Sequence, residues 1–163
     1  MTGISENCGD SSQILENIGE WVINCGADLV HFNCGLHDLK YFRDTRSYQQ
    51  AIEIYEMNLR RIVNILKEDK KRLIWATTTP VIDMRHNAVK EFDRYEHDVA
   101  DYNRAAVRIM ETAGITINDL HSVIMKDDID ACIMPDGVHM TDHGNKILAE
   151  AISRFLLQEL RIE

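Results

Sequence analysis

Asp136-Gly137-Val138-His139 is the stretch of this sequence whose residue types and spacing best suit moving a proton. A carboxylate three residues ahead of a histidine on a tight loop can accept the imidazole Nδ1–H. Nε2 is then left free as a general base. Gly137 lets the backbone turn between the two. Two further segments could meet this pair. In Phe32-Asn33-Cys34-Gly35-Leu36-His37-Asp38, a glycine and polar side chains follow an apolar run, which is a place to put oxyanion donors. Asn7-Cys8-Gly9-Asp10-Ser11-Ser12 leads into a helical pattern, where free backbone N–H groups favour developing negative charge. Each segment alone also has a plainer reading: a helix-entry loop, a βα turn and a cap box.

Weaker combinations exist. His139 and His143 are four apart, with Asp142 between them, and on one helical face could offer two nitrogens to zinc, with Asp136 or His37 approaching. Cys34 at a strand end could be a thiolate nucleophile, although a buried core cysteine is the simpler role. His31 lies inside an apolar run and reads as a hydrogen-bonded core residue. Asn103 lies mid-helix and reads as a tie to a loop.

The elements that must position these residues follow from periodicity. Apolar stripes predict helices over 11–24, 47–68, 91–113 and 141–160, with a short one beginning near Asp119. Short β-rich runs predict strands over 28–33, 72–77 and 115–117, and residues 3–7 could add another. Helices alternating with strands imply a parallel sheet covered on both faces. Sites in such folds collect at the carboxyl ends of the strands, where Asn33-Cys34-Gly35 and Thr77-Thr78-Thr79 fall.

Bulk properties narrow the function. The 163 residues suit a single domain over 1–163, and 45 % apolar content is enough for one core. With 18 basic and 27 acidic residues the net charge is −9, which argues against nucleic acid and against anionic membrane surfaces as partners. No apolar run is long enough to span a bilayer, and Met1 to Glu6 resembles no signal peptide. The four cysteines lack CxxC spacing and read as reduced core residues, so a cytoplasmic location is the default expectation.

Taken together and in this order, the segments resemble the SGNH (GDSL) hydrolase family. Its blocks are a nucleophilic serine in GDS, an oxyanion glycine, an oxyanion asparagine in GxND, and DxxH. Asp136 and His139 match the last block, and Gly35-Leu36-His37-Asp38 matches the third with His37 in the asparagine position. Gly9-Asp10-Ser11 looks like the nucleophile block. In the family, however, that block follows a buried strand, and only the polar Met1 to Cys8 precede it here. Gly9-Asp10-Ser11-Ser12-Gln13 therefore resembles the second block, with Gly9 as the oxyanion glycine and Ser11 or Ser12 as alternative nucleophiles.

The resemblance implies a three-layer α/β/α fold with a parallel, doubly wound, flavodoxin-like sheet lacking its first strand and that strand's serine. A truncated start, a rearranged sheet or a strand lent by another copy would account for this, the last making a homo-oligomer. It also implies a hydrolase of carboxylic esters, of esterase, acetylesterase or lipase-like kind, acting on a small ester without cofactor or metal. Its site residues would be His139, Asp136, Ser11, Gly9 and His37. The rival expectations are a non-catalytic hydrolase-like binding or structural domain, and a metal-dependent hydrolase using His37, Asp136, His139 and His143.

Overall fold

The computed structural model describes residues 7–160. In chain order these form α1 (Ser11–Ile18), continued by one π turn at Gly19–Ile23, then β1 (Leu29–Phe32), β2 (Tyr41–Phe42), β3 (Ser47–Tyr48) and α2 (Ile52–Glu68). There follow β4 (Arg72–Ala76), α3 (Asp83–Val89), β5 (Phe92–Asp93), α4 (Glu96–Thr112), β6 (Thr116–Asn118), α5 (Leu120–Met125), α6 (Ile129–Cys132) and α7 (Asp142–Leu160). The strand considered over 3–7 lies outside the described residues except for Asn7, which belongs to no strand.

β1, β4 and β6 form a parallel sheet with β4 in the middle, Val30 opposite Leu73 and Trp75 opposite Ile117. Leu73 to Ala76 are all buried, as a strand covered on both faces requires. On one side α1, α2 and α4 pack together. Tyr55, Leu59, Ile62 and Leu66 recur at helical spacing along α2 and meet Val99, Tyr102 and Met110 of α4 in the main core with Trp75. On the other side α5, α6 and α7 pack together, and Ile124, Cys132 and Ile133 form a second cluster with Ile147 and Leu148. The expected mixed α/β architecture is therefore present, with a three-stranded parallel sheet.

Several boundaries differ from the sequence expectation. Residues 47–48 and 92–93 are not the starts of helices. They are β3 and β5, which pair antiparallel with β2 in a small second sheet. The helices begin later, at Ile52 and Glu96, and the strand expected at 115–117 is shifted to 116–118. Strands of two residues carry no period to read. Their pairing depends on distant partners, such as Tyr41 against Tyr48 with ring centroids 5.2 Å apart. Helices α3 and α6 were not expected. The cysteines divide: Cys34 and Cys132 are buried, Cys8 is partly covered and Cys25 is exposed.

β1 pairs with β4 on one edge, and no described strand pairs with the other. All its residues are half-buried. A small apolar groove of about 80 Å³, lined by Ile14, Ile18, Trp21, Val30 and Phe32 among others, lies beside it.

The start of α1 is locked by a buried polar network. Asp10 caps the helix, accepting from the N–H groups of Ser12 and Gln13, while the Gln13 side chain accepts from Asp10 N–H in a capping box. Ser11 donates its N–H (3.0 Å) and its hydroxyl to Asp38, which has no solvent exposure. Asn58 of α2 donates to the hydroxyls of Ser11 (2.9 Å) and Ser12 (3.0 Å). Asp38→Ala should lower stability by about 2–4 kcal/mol, because it leaves two Ser11 donors buried without an acceptor. Urea denaturation at neutral pH measures this.

Candidate active site

The Asp136 loop sits between Ile133 and Met140, which form an isolated β-bridge, and leads into α7. One carboxylate oxygen, Oδ1, accepts the N–H groups of Val138 (3.1 Å) and His139 (3.0 Å). The other, Oδ2, lies 2.5 Å from Nδ1 of the His139 ring. Burial pushes the Asp136 carboxyl up, but the His139 ring and the two backbone donors outweigh it and bring its pKa down to about 2. It is a carboxylate throughout the neutral range. The His139 ring is 74 % exposed, and Nε2 has no partner among the described residues. Gly137 has φ +76°, and a Cβ there would lie 2.6 Å from the Ile82 carbonyl and 2.7 Å from His86 N. The loop is pressed against the start of α3, where Ile82 N–H donates to the Gly137 carbonyl at 2.8 Å, so only glycine fits.

His139 stands on a cleft of about 480 Å³ whose walls also include Asn7, Leu36, His37 and Thr79. The three separated sequence segments thus meet at one rim. Asn7 Nδ2 lies 3.4 Å from His37 Nε2. Burial lowers His37 to about 4, helped by the nearby charges of Lys40 and Arg94. His37 is therefore a neutral imidazole at pH 7, with one N–H to donate.

Other expected site residues lie elsewhere. Gly9 adopts φ +64°, and its N–H donates to Asn7 Oδ1 at 3.0 Å. Ser11 is fully buried, its hydroxyl taken by Asp38 and Asn58. Neither Gly9, Ser11 nor Ser12 lines the cleft, and among the described residues no serine does. Cys34 is a core residue whose thiol is pushed well up by burial and then by Asp38 and Asp10, which leaves little thiolate. The pairing of His143 with His139 on one face does not form. His143 instead approaches Asp127 (3.4 Å), and with Cys132 the three ligand atoms lie within 4.8 Å of one another. His31 is half-buried, with Nε2 3.3 Å from Asn118 Nδ2. Asn103 ties α4 to the end of β4, accepting from Thr78 N–H and donating to the Thr78 carbonyl, both at 2.8 Å.

Sequence reasoning did not single out Lys40, Lys90, Phe92 and Arg94, which complete the cleft wall. Phe92 and Arg94 fell in a stretch read as helix, so no local signal marked them.

A sequence model of the GDSL-like lipase/acylhydrolase family matches residues 2–147. This chain belongs to that family. It is 27 % identical over 113 residues to the GDSL esterase/lipase WDL1 of Oryza sativa subsp. japonica, covering 64 % of this chain and 44 % of that protein. The chain thus spans less than half the length of this relative. In fold it is similar to the lipase/acylhydrolase from Enterococcus faecalis, with a TM-score of 0.78 at 16 % identity over 92 % of this chain and 71 % of that one. It is also similar to Axe2, an acetylxylan esterase from Geobacillus stearothermophilus, with a TM-score of 0.71 at 22 % identity over 95 % of this chain and 69 % of that one.

Within the GDSL-like pattern, the histidine at position 37 has a measurable consequence. Its folded-state pKa is about 4 against an ordinary 6.5, so between these values the unfolded chain binds more protons. Stability contributed by neutral His37 is full above pH 6.5 and is lost as pH falls toward 4. His37→Asn should therefore show a shallower loss of stability over that interval, read from urea midpoints at pH 7, 6, 5 and 4.

Proposed function

We propose that this chain is a carboxylic-ester hydrolase, with the cleft as its acyl site and Asp136–His139 as the pair that handles the proton. The observation that carries this reading is the 2.5 Å contact of Asp136 with His139 Nδ1 on the rim of a cleft that also holds His37 and Asn7. In the reaction, Nε2 of His139 takes the proton of an attacking hydroxyl, whose oxygen bonds to the acyl carbon. The ester C–O bond then breaks, and the imidazolium returns the proton to the departing alkoxide. His139 next takes a proton from a water that attacks the acyl-enzyme, the new acyl–oxygen bond to the enzyme breaks, the acid leaves and the hydroxyl regains its proton. Asp136 holds the ring in one tautomer and stabilises its charge. Asn7 and His37 donate to the oxyanion, replacing the role first expected of Gly9, whose N–H is engaged by Asn7.

The attacking hydroxyl is not that of Ser11, which is buried and doubly engaged. Among the described residues, one edge of β1 is left without a partner strand, beside its apolar groove. One observation favours a second reading, a hydrolase-like binding domain: among the described residues no serine lines the cleft.

Hydrolysis of p-nitrophenyl acetate decides between them. Under the catalytic reading, His139→Gln and Asp136→Asn each lower kcat/KM by about 10²–10⁴-fold. Ser11→Ala lowers stability but keeps the turnover per folded molecule. Absence of turnover, together with absence of labelling by a fluorophosphonate probe, would establish the binding-domain reading. Loss of labelling in Ser11→Ala would restore Ser11 as the nucleophile.

A further inference from the structure

The cleft beside His139 has an unusual charge. Its lining includes Lys40, Lys90 and Arg94 and, among the described residues, no acidic side chain, in a chain where acids outnumber bases 27 to 18. Arg94 is the notable member. It is 5 % exposed, and its Nε donates to the Leu36 carbonyl at 2.8 Å. Its guanidinium lies 5.1 Å from the centroid of the Phe92 ring, which also carries Lys40 Nζ at 5.2 Å. No described residue accepts a hydrogen bond from either Nη of Arg94.

The nearby carboxylates are already committed. Asp93 is held by Arg43 and by the Tyr95 hydroxyl, and Asp136 by His139. Burial disfavours the charge on Arg94 and the Asp136 carboxylate offsets this only through space, so its two Nη groups stay without an acceptor among the described residues. A planar fork with two free N–H faces matches a carboxylate or phosphate in two-point contact. The volume, about 480 Å³, suits a small molecule.

We propose that the substrate is an ester bearing a second, anionic group, a carboxylate or a phosphate, which Arg94 holds with Lys40 and Lys90 while the ester lies at His139. This rests on the hydrolase reading for the position of the ester, but the anion site stands on its own geometry. Salt weakens the contribution of exposed Lys90 most and that of buried Arg94 least.

Two measurements test it. Calorimetric titration with adipate and with inorganic phosphate, at low ionic strength, reads the anion site directly. Hydrolysis of mono-p-nitrophenyl adipate against p-nitrophenyl hexanoate, matched in length, reads its use on a substrate. At least one anion should bind, and which one binds tells a carboxylate-bearing substrate from a phosphate-bearing one. Arg94→Gln should lower anion affinity, and the preference for the anionic ester, by on the order of 10–100-fold, as expected for charge-assisted hydrogen bonds. Arg94→Lys keeps the charge without the fork and should recover only part. If the Arg94 variants fail to fold, the Lys40→Gln/Lys90→Gln double variant carries the test and should weaken binding in the same direction.

Binding of neither anion, or binding indifferent to all these variants, overturns the proposal. Turnover of the hexanoate ester without anion binding would overturn it and leave the hydrolase reading intact. Anion binding that is lost in Arg94→Gln, with no ester turned over, would support it while the catalytic reading fails.

Discussion

The buried carboxylate of Asp38 is the constraint on which the rest of the cleft depends. A fully buried carboxylate must be saturated with donors, and here these are the N–H and hydroxyl of Ser11, with Asn58 of α2 closing the network. Burial pushes this carboxyl up, while the Ser11 donors pull it down. The consequence is geometric. His37 immediately precedes Asp38 and Asn7 lies four residues before Ser11, so one clamp fixes both. The 3.4 Å approach of Asn7 to His37 follows from an anchor in which neither of their side chains takes part.

The opposite wall is set by close backbone packing. Gly137 lets the Asp136 loop lie against the start of α3, and His86 of that helix, 1 % exposed, packs at a tilt against Phe92 with ring centroids 5.4 Å apart. Burial, then the charges of Arg94 and Lys90, lowers His86, so this support is neutral where a charge would be least tolerable. Phe92 is itself held by the pairing of β5 with β2 and carries both Lys40 and Arg94 against its ring. The second sheet, small as it is, therefore fixes the electrostatic character of the cleft.

Much of this was legible because it is local. The Asp136–His139 contact spans three residues, and a carboxylate, a glycine and a histidine in that order leave few ways to close the loop. The apolar stripes of α2, α4 and α7 follow the helical period, and the order of strands and helices already implied a parallel sheet. Asn103, read as a tie to a loop, bonds both backbone groups of Thr78. That Gly9 and Ser11 do not line the cleft was not legible, because a polar run at a helix start looks the same whether it faces a cleft or a buried acid 27 residues on.

What the sequence determined by itself is the alternation of elements, the family pattern and the contact between Asp136 and His139, since each is encoded by neighbours within a few positions. Tertiary structure alone decided that Ser11 belongs to Asp38, that His37 is held neutral, and that Arg94 enters the cleft. Those outcomes depend on desolvation and on partners brought from far along the chain. Burial of a charge or hydroxyl is a property of everything packed around it, and no local spacing records that.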